Sequence, residues 1–184
     1  ETNASSHVAI AVGGVGSVAA PTLTARLSGA TRILDNIVIS SPVSRGIQIA
    51  DAGAVLIAHD TFVRASLDVR QTAGHSVGVI ASIFHVPGGS HASIADTNAM
   101  SASSRENVFH DGTVNACPSW DAACISAAFA GGVSFVSEAT RDLRLSASSP
   151  GRSVTTAAVI GAERDYLGDL RATTGANAGA VERS

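Results

Sequence analysis

Asp35, His59 and Asp60 are the residues whose types and spacing are best suited to acid–base chemistry. Asp35 and His59 are 24 residues apart. If those 24 residues form one coil of a repeating structure, the two side chains lie on adjacent strands, about 4.8 Å apart. A carboxylate in contact with an imidazole can orient it as a general base. The alternative is a structural pair without chemistry, because ion pairs that only stabilise a fold use the same residue types.

Arg45, Arg64 and Arg70 are candidate substrate-binding residues. A guanidinium binds a carboxylate through two parallel N–H···O bonds, so a stripe of arginines could hold an acidic polysaccharide. Ordinary solvated surface charge explains the same residues, since most exposed charges carry no function. All 12 basic residues are arginine. A lysine base or Schiff-base nucleophile is therefore excluded.

Four further histidines, His75, His85, His91 and His110, are spread among corners and loops of the pattern described below. A lone histidine is more often structural or solvent-facing than a metal ligand. The sequence therefore assigns no metal ligand, and the cofactor stays unknown at this point.

Cys117 and Cys124 are the two cysteines of the chain, in the segment CPSWDAAC. The turn-forming residues between them favour a small disulfide loop, which would fit an oxidising compartment. Two reduced thiols in a loop are the alternative. A metal site would need two more ligands, and only His110 lies nearby in sequence.

Short strands must position these residues, and an internal repeat predicts where they lie. Residues 34–39, 58–63, 80–85 and 105–110 align with one another. Each segment has a short polar residue two places before an apolar one, and the polar positions are 24, 22 and 25 residues apart. That spacing is typical of one coil of a β-solenoid. The polar positions are Asn36, Asp60, Ser82 and Asn107, and the apolar positions are Val38, Phe62, Phe84 and Phe109.

Stacked coils would turn these positions into columns. The polar column is expected to form a hydrogen-bonded ladder at one corner, and the phenylalanines to stack in the core. The neighbouring column consists of Asp35, His59, Ala81 and Glu106. Between the aligned segments, alternating apolar and polar residues with glycine-containing corners favour strands over helices.

One domain over residues 1–184 fits this length. We expect an incomplete first coil over 1–29, regular coils over 30–150 and a C-terminal tail over 151–184. Residues 90–104 and 111–124 are expected to leave the coils as loops, and residues 129–136 to begin the last coil. The chain starts without Met, which suggests a processed, tagged or excised fragment of a longer chain. A preceding segment or a second copy is expected to cover the open first coil.

The composition of the chain argues against some classes of binding partner. Hydrophobic residues make up 45% of the chain but aromatic residues only 4%, so small and β-branched side chains dominate. The net charge of −3 argues against nucleic-acid binding driven by bulk charge. The apolar run over residues 8–18 is broken by glycines and too short to span a bilayer.

The C-terminal region carries a resemblance to a known family. Residues 142–150 read DLRLSASSP, residues 165–171 read DYLGDLR and residues 177–182 read NAGAVE. This resembles the end of bacterial right-handed parallel β-helix proteins of the pectate-lyase-like superfamily, with their D-F-x-L-x-x-x-S-P strand, D-x-x-G-x-x-R turn and G-A-x-E finish. The resemblance covers residues 130–182. It implies an all-β, right-handed parallel β-helix of about six to seven coils with an irregular tail.

The resemblance also implies an extracellular protein, secreted or at the cell surface. The expected function is to bind or process a polysaccharide along the long face of the helix, as a polysaccharide lyase or glycoside hydrolase if it is an enzyme. Calcium is the cofactor that such enzymes suggest. The hydrolase motifs of the superfamily, such as an Asp-Asp pair, do not occur in the sequence. The alternatives are a structural or adhesive surface module without catalysis, and an incomplete fragment of an enzyme.

Overall fold

The computed structural model describes residues 8–13, 30–50, 52–70, 76–111, 117–121, 123–126 and 133–182. These residues form an all-β structure with one short 3₁₀ helix. None of the helices among them is long and apolar enough to cross a membrane. The strands are β1 (Val8–Gly13), β2 (Thr31–Leu34), β3 (Ile37–Ala50), β4 (Val55–Ala58), β5 (Thr61–Val69), β6 (Val77–Ile80), β7 (Ile83–His85), β8 (Ala92–Ile94), β9 (Val108–His110), β10 (Ile125–Ser126), β11 (Phe135–Ser137) and β12 (Asp142–Leu145), and the 3₁₀ helix is Thr97–Ala99.

Two parallel sheets contain most of these strands. The first sheet has the order β1, β3, β5, β7, β9 and β10, and β8 also pairs with β5. The second sheet has the order β2, β4 and β6. Successive strands from β2 to β7 therefore alternate between the two sheets, so each repeat of the sequence supplies one strand to each.

Strand register confirms the sequence repeat. In the second sheet, Leu34 is paired with Ala58, and Ala58 with Ile80. In the first sheet, β3, β5, β7 and β9 are in register through the apolar column, which runs Val38, Phe62, Phe84, Phe109.

The phenylalanine column forms the centre of the core, as the sequence predicted. The rings of Phe62 and Phe84 have centroids 4.6 Å apart and those of Phe84 and Phe109 5.1 Å apart, and both pairs are stacked. All three side chains are buried. Burying each contributes about 1.5–3 kcal/mol, and the column fixes the register because a slip of one residue would turn the rings outward.

The polar column forms the predicted ladder. Backbone and side-chain nitrogens of Asn36 donate to Oδ1 of Asp60 at 2.6 and 2.9 Å. The Asp60 backbone N–H donates to Ser82 Oγ at 3.2 Å, and the Ser82 N–H donates to Asn107 Oδ1 at 2.9 Å. Asn107 in turn donates to Asp121, which extends the ladder by one residue. The ladder satisfies buried backbone donors that the turns leave without a strand partner.

The turn that joins a second-sheet strand to the next first-sheet strand is called the corner here. Its first residue has a positive φ in each repeat: 58° in Asp35, 55° in His59, 49° in Ala81 and 61° in Glu106. A non-glycine residue in this region is uncommon. The four corners therefore share one backbone conformation, as expected for equivalent positions of a repeat.

The structure differs from the expectation in two places. Residues 90–104 do not form only a loop, since β8 pairs with β5 and Met100 bridges Val77. Residues 133–150 do not continue the parallel coils, because β11 pairs with β12 in antiparallel orientation. The sequence predicted an incomplete first coil over residues 1–29. Within that range the structure describes β1, which pairs with β3. Residues 1–7, 14–29 and 127–132 lie outside the described residues.

Candidate functional site

The predicted Asp35–His59 pair lies at the corner, beneath the C-terminal tail. Oδ1 of Asp35 accepts hydrogen bonds from Arg171, from Nη2 at 2.7 Å and from Nε at 3.2 Å. Nδ1 of His59 lies 3.2 Å from the backbone oxygen of Asn177. The two side chains are therefore each held by a different residue of the tail.

Burial sets the charge state of this corner. His59 is only 2% exposed, and burial, followed by the charge of Arg171, lowers its pKa from 6.5 to about 3. Burial also raises the pKa of Asp35, although Arg171 pulls it down. His59 lines a cavity of about 200 Å³ together with Arg171 and small residues of the tail. A neutral imidazole with one nitrogen against a backbone carbonyl is well suited to holding the tail in place.

Asp60 is a rung of the ladder. Its side chain is fully buried, and burial raises its pKa from 3.8 to about 8, against the opposing effect of the Asn36 hydrogen bonds. Among the described residues, its Oδ2 atom has no hydrogen-bond partner. A neutral acid in this position accepts from Asn36 through Oδ1 without placing a charge in the core.

The three predicted arginines form two groups. Nε of Arg45 and Nε of Arg70 each lie 3.0 Å from Oδ2 of Asp68, which also accepts from Gln48 at 2.6 Å. Arg64 instead pairs with a glutamate of the β11–β12 turn, described below. The three arginines therefore do not form one continuous stripe. Arg45 and Arg70 share one acidic partner, and Arg64 has another.

The two groups lie at different points along β5, and regular alternation is interrupted between them, because Arg64 has a positive φ of 56° and the pairing with β3 shifts register next to it. Arg64 is half-buried and Asp68 is 4% exposed, and Ala65, Leu67 and Val69 are fully buried in the core. Arg64 and Asp68 are four positions apart in sequence, which allows at most about 13 Å between them if the chain is fully extended. Positive groups therefore occur at two points around β5.

The turn motif of the tail has a structural role. Oδ1 of Asp165 accepts from the backbone N–H groups of Leu167 at 2.9 Å and Asp169 at 2.8 Å. Its Oδ2 accepts from the N–H of Glu182 at 2.8 Å. Both carboxylate oxygens therefore bind backbone donors, which closes the turn and ties it to the end of the chain.

A histidine pair that the sequence analysis left unassigned lies on the outward side of the first sheet. His85 of β7 and His110 of β9 are in register. Their rings are stacked with centroids 4.8 Å apart, and the two Nδ1 atoms are 2.8 Å apart. Both histidines are the sixth residue of their aligned segments, 80–85 and 105–110. That shared position is the signal that could have found the pair.

Two carboxylates flank the histidines. Oε2 of Glu138, from the β11–β12 turn, lies 3.4 Å from Nε2 of His85. Oδ1 of Asp111 lies 3.4 Å from Nε2 of His110, and its Oδ2 lies 3.9 Å from Nδ1 of His85. Glu138 is held in turn by Arg64, whose Nη2 is 2.8 Å from Oε1. These five residues, Arg64, His85, His110, Asp111 and Glu138, are called the histidine cluster below.

Neighbouring groups fix the orientation of the cluster. Nε2 of His91 lies 2.8 Å from the backbone oxygen of His110, and the ring of Phe135 packs edge-on against His85. Burial, followed by the charge of His110, lowers the pKa of His85, while Glu138 and Asp111 oppose that shift. A mostly neutral His85 can accept a proton or bind a cation through a ring nitrogen.

A cleft of about 490 Å³ adjoins the histidine cluster. Arg64, Glu138 and Arg141 line it together with Ile39, Ser40 and Ala139. Two guanidiniums and one carboxylate give the cleft a net positive lining. It can therefore bind an anionic group while Glu138 connects it to His85.

Cys117 and Cys124 are disulfide-bonded, with Cα atoms 5.7 Å apart, so the predicted pairing is confirmed. Trp120 lies between them in sequence and packs edge-on against Phe109. A disulfide fits an extracellular protein. Residues 112–116 and 122 of the expected loop lie outside the described residues.

Comparisons with protein-family models, with curated proteins and with solved structures found no match for the chain. The functional argument therefore depends on the chemistry of the described residues. Within the part of the chain that the structure describes, the histidine cluster and its cleft bring together proton-transfer groups, positive charge and solvent access.

Proposed function

We propose that the chain is a parallel β-helix module that binds an acidic polysaccharide along the outward side of its first sheet. The right-handed β-helix is the architecture that best accounts for in-register parallel strands alternating between two sheets at a spacing of 22 to 25 residues. The C-terminal tail that resembles pectate-lyase-like proteins supports the same architecture. A secreted or cell-surface location is part of the proposal, supported by the disulfide.

The positions of three arginines around β5 carry this proposal. Arg64 lines the cleft, and Arg45 of β3 and Arg70, which follows β5, both contact Asp68, at most about 13 Å along the chain from Arg64. At Asp68 two guanidiniums meet one carboxylate, which leaves a net positive charge. A polymer with carboxylates repeated along its length could contact both points, through the N–H groups that the acids do not use.

Cleavage of the bound polymer is a second candidate function, favoured by the contact between His85 and Glu138. A carboxylate that orients an imidazole is a common general-base arrangement, and this one borders the cleft rather than the sealed corner. In a lyase the imidazole would take the proton from the carbon next to the uronate carboxylate that Arg64 or Arg141 binds. The electron pair would form a carbon–carbon double bond, and the glycosidic oxygen on the following carbon would leave and take a proton from solvent. In a hydrolase Glu138 and Asp111 would be the acidic residues to test first.

The alternative is a protein of another functional class, a structural or adhesive surface module without catalysis. The observation in its favour is the corner, where Asp35, His59 and Asp60 are all used to hold the ladder and the tail. In that alternative the histidine cluster would bind no polymer.

Binding and cleavage should be measured with the same panel of soluble polysaccharides. Polygalacturonate and alginate represent acidic polymers, and galactan represents a neutral one. We expect the acidic polymers to bind more tightly, with an affinity that falls as salt is raised. Unsaturated product detected by ultraviolet absorbance would indicate a lyase, and new reducing ends without that absorbance a hydrolase, each assayed with and without calcium.

The variant Arg64→Gln tests the site within this panel. We expect it to weaken binding of the acidic polymer about tenfold, which corresponds to the loss of one charge-assisted contact. Arg164→Gln is the matched control, because Arg164 is exposed in the tail, where its side chain bonds Gly168. A folded wild-type chain that binds none of the polymers, or binding that Arg64→Gln leaves unchanged, would contradict the proposal.

A further inference from the structure

We propose that His85, His110 and Asp111 form a binding site for one divalent transition-metal ion of the zinc class. The site needs no polysaccharide, so it stands independently of the function proposed above. Each of the three residues offers one ligand atom, and these atoms all lie within 4.8 Å of one another.

The separations between ligand atoms suit a single ion. The Nδ1 atoms of His85 and His110 are 2.8 Å apart, and Oδ2 of Asp111 is 3.9 Å from Nδ1 of His85. Zinc bonds of about 2.0–2.1 Å in a tetrahedron place ligand atoms about 3.3 Å apart. The two measured separations lie on either side of that value, so small side-chain movements would bring the atoms into range.

The tautomer favoured by the neighbouring carboxylates makes the space between the two histidines suitable for a cation. A neutral imidazole carries one proton, on one of its two nitrogens. Nε2 of His85 faces Glu138 and Nε2 of His110 faces Asp111, each at 3.4 Å. A carboxylate only accepts hydrogen bonds, so both protons are favoured on Nε2.

Both Nδ1 lone pairs then face each other at 2.8 Å. Two acceptors at that distance repel unless a positive species lies between them. A metal ion satisfies both lone pairs at once, whereas a shared proton would place a charged imidazolium in the pair. The arrangement therefore points to an ion that both rings can bind.

The surroundings of the cluster match those of metal-binding histidines. Such histidines usually donate their other N–H to a carboxylate, which fixes the ring and raises its basicity. Glu138 takes that role for His85 and is itself held by Arg64. His91 fixes the backbone of His110. The ring of His85 is therefore oriented before any ion binds.

The donor set selects the class of ion. Two imidazoles and one carboxylate suit Zn²⁺ and related first-row ions, while Ca²⁺ takes six to eight oxygen ligands. The side chains of His85 and His110 are 9% and 13% exposed and that of Asp111 is 53% exposed. The ion can therefore enter from the Asp111 side, where a further coordination position would be filled by water.

Calorimetric titration of the untagged full chain with Zn²⁺, after treatment with a chelator, tests the proposal. We expect one Zn²⁺ per chain. Asp111→Asn should weaken binding about 10- to 100-fold, and Glu138→Gln should weaken it to a similar extent by loosening His85. Titration with Co²⁺ should give the visible absorption of a low-symmetry site in the wild type, and His110→Gln should abolish it.

Asp96→Asn is the matched control, since Asp96 follows β8 near the far end of β5 and caps the 3₁₀ helix. It should bind Zn²⁺ as the wild type does. If His110→Gln does not fold, Asp111→Asn still decides the question, because its side chain is largely exposed. A wild-type chain that binds no Zn²⁺, or equal binding by Asp111→Asn and Asp96→Asn, would overturn the proposal. Because no polymer is present, neither result depends on the polysaccharide experiment.

Discussion

Arg171 binds Asp35 across 136 residues of sequence, with Nη2 2.7 Å and Nε 3.2 Å from Oδ1 of the aspartate. The same guanidinium donates to Glu182 at 3.0 Å and to the backbone oxygen of Gly179 at 3.0 Å. Its side chain is only 2% exposed. The tail is therefore attached to the first described corner through one buried cation.

Arg171→Gln should lower the free energy of unfolding by about 3–5 kcal/mol, because it leaves two partly buried carboxylates, Asp35 and Glu182, without their cation. Urea unfolding followed by circular dichroism would measure the loss. Arg164→Gln, in the same tail, should change stability by less than about 0.5 kcal/mol. Equal stability of the two variants would show that the tail is not held by Arg171.

The buried acid Asp60 should make stability fall as pH rises from 3.8 towards 8. Its pKa is about 8 in the folded chain against 3.8 as the ordinary value. Between these values the folded chain holds one proton more than the unfolded chain, so this contribution decreases as pH rises through 8. His59 acts in the opposite direction, since its folded pKa is about 3 against 6.5. Its contribution grows as pH rises from 3 to 6.5 and is then constant.

The two effects oppose each other between pH 3.8 and 6.5, and Asp60 acts without His59 between 6.5 and 8. At about 1.4 kcal/mol per pH unit, Asp60 should cost the wild type about 2 kcal/mol over that upper interval. Asp60→Asn keeps an oxygen that accepts the hydrogen bonds of Asn36 but has no titratable proton. Its stability should therefore not show the decline between pH 6.5 and 8. Urea unfolding at several pH values would test the difference, with Asp96→Asn as the control that retains the decline. The same decline in both variants would refute the role of Asp60.

Reduction of the Cys117–Cys124 disulfide should cost about 2–3 kcal/mol of stability, the amount expected for a loop closed over a separation of 7 residues. Trp120, the one tryptophan of the chain, lies inside this loop against Phe109. Its fluorescence should therefore report the loosening of the loop. The double variant Cys117→Ser with Cys124→Ser should match the reduced wild type. Unchanged stability and fluorescence on reduction would mean that the loop is held by packing alone.

The repeat could be predicted from the sequence because parallel strands in register place equivalent residues on top of one another. The spacing of Asn36, Asp60, Ser82 and Asn107 was sufficient to predict the ladder. The same alignment placed the phenylalanines in one stack. These features depend on local alternation and on a constant repeat length, both of which can be read along the chain.

The antiparallel β11–β12 pair was not predicted. Its residues include an apolar strand that resembles the earlier ones, and alternation does not reveal the direction of the partner strand. The direction depends on the turn over residues 138–141, which brings Glu138 back over the first sheet. The turn and the contact with Arg64 together place the glutamate beside His85.

The sequence by itself determined the columns, because one strand after another repeats the same pattern over a constant distance. Only the tertiary structure decided which column the C-terminal tail covers and which keeps access to solvent. The tail covers Asp35 and His59, since Arg171 and Asn177 reach them from more than 100 residues away. The outward side of β7 and β9 keeps access to solvent through Asp111. Long-range contacts of this kind depend on how separate segments pack, and no local spacing encodes them.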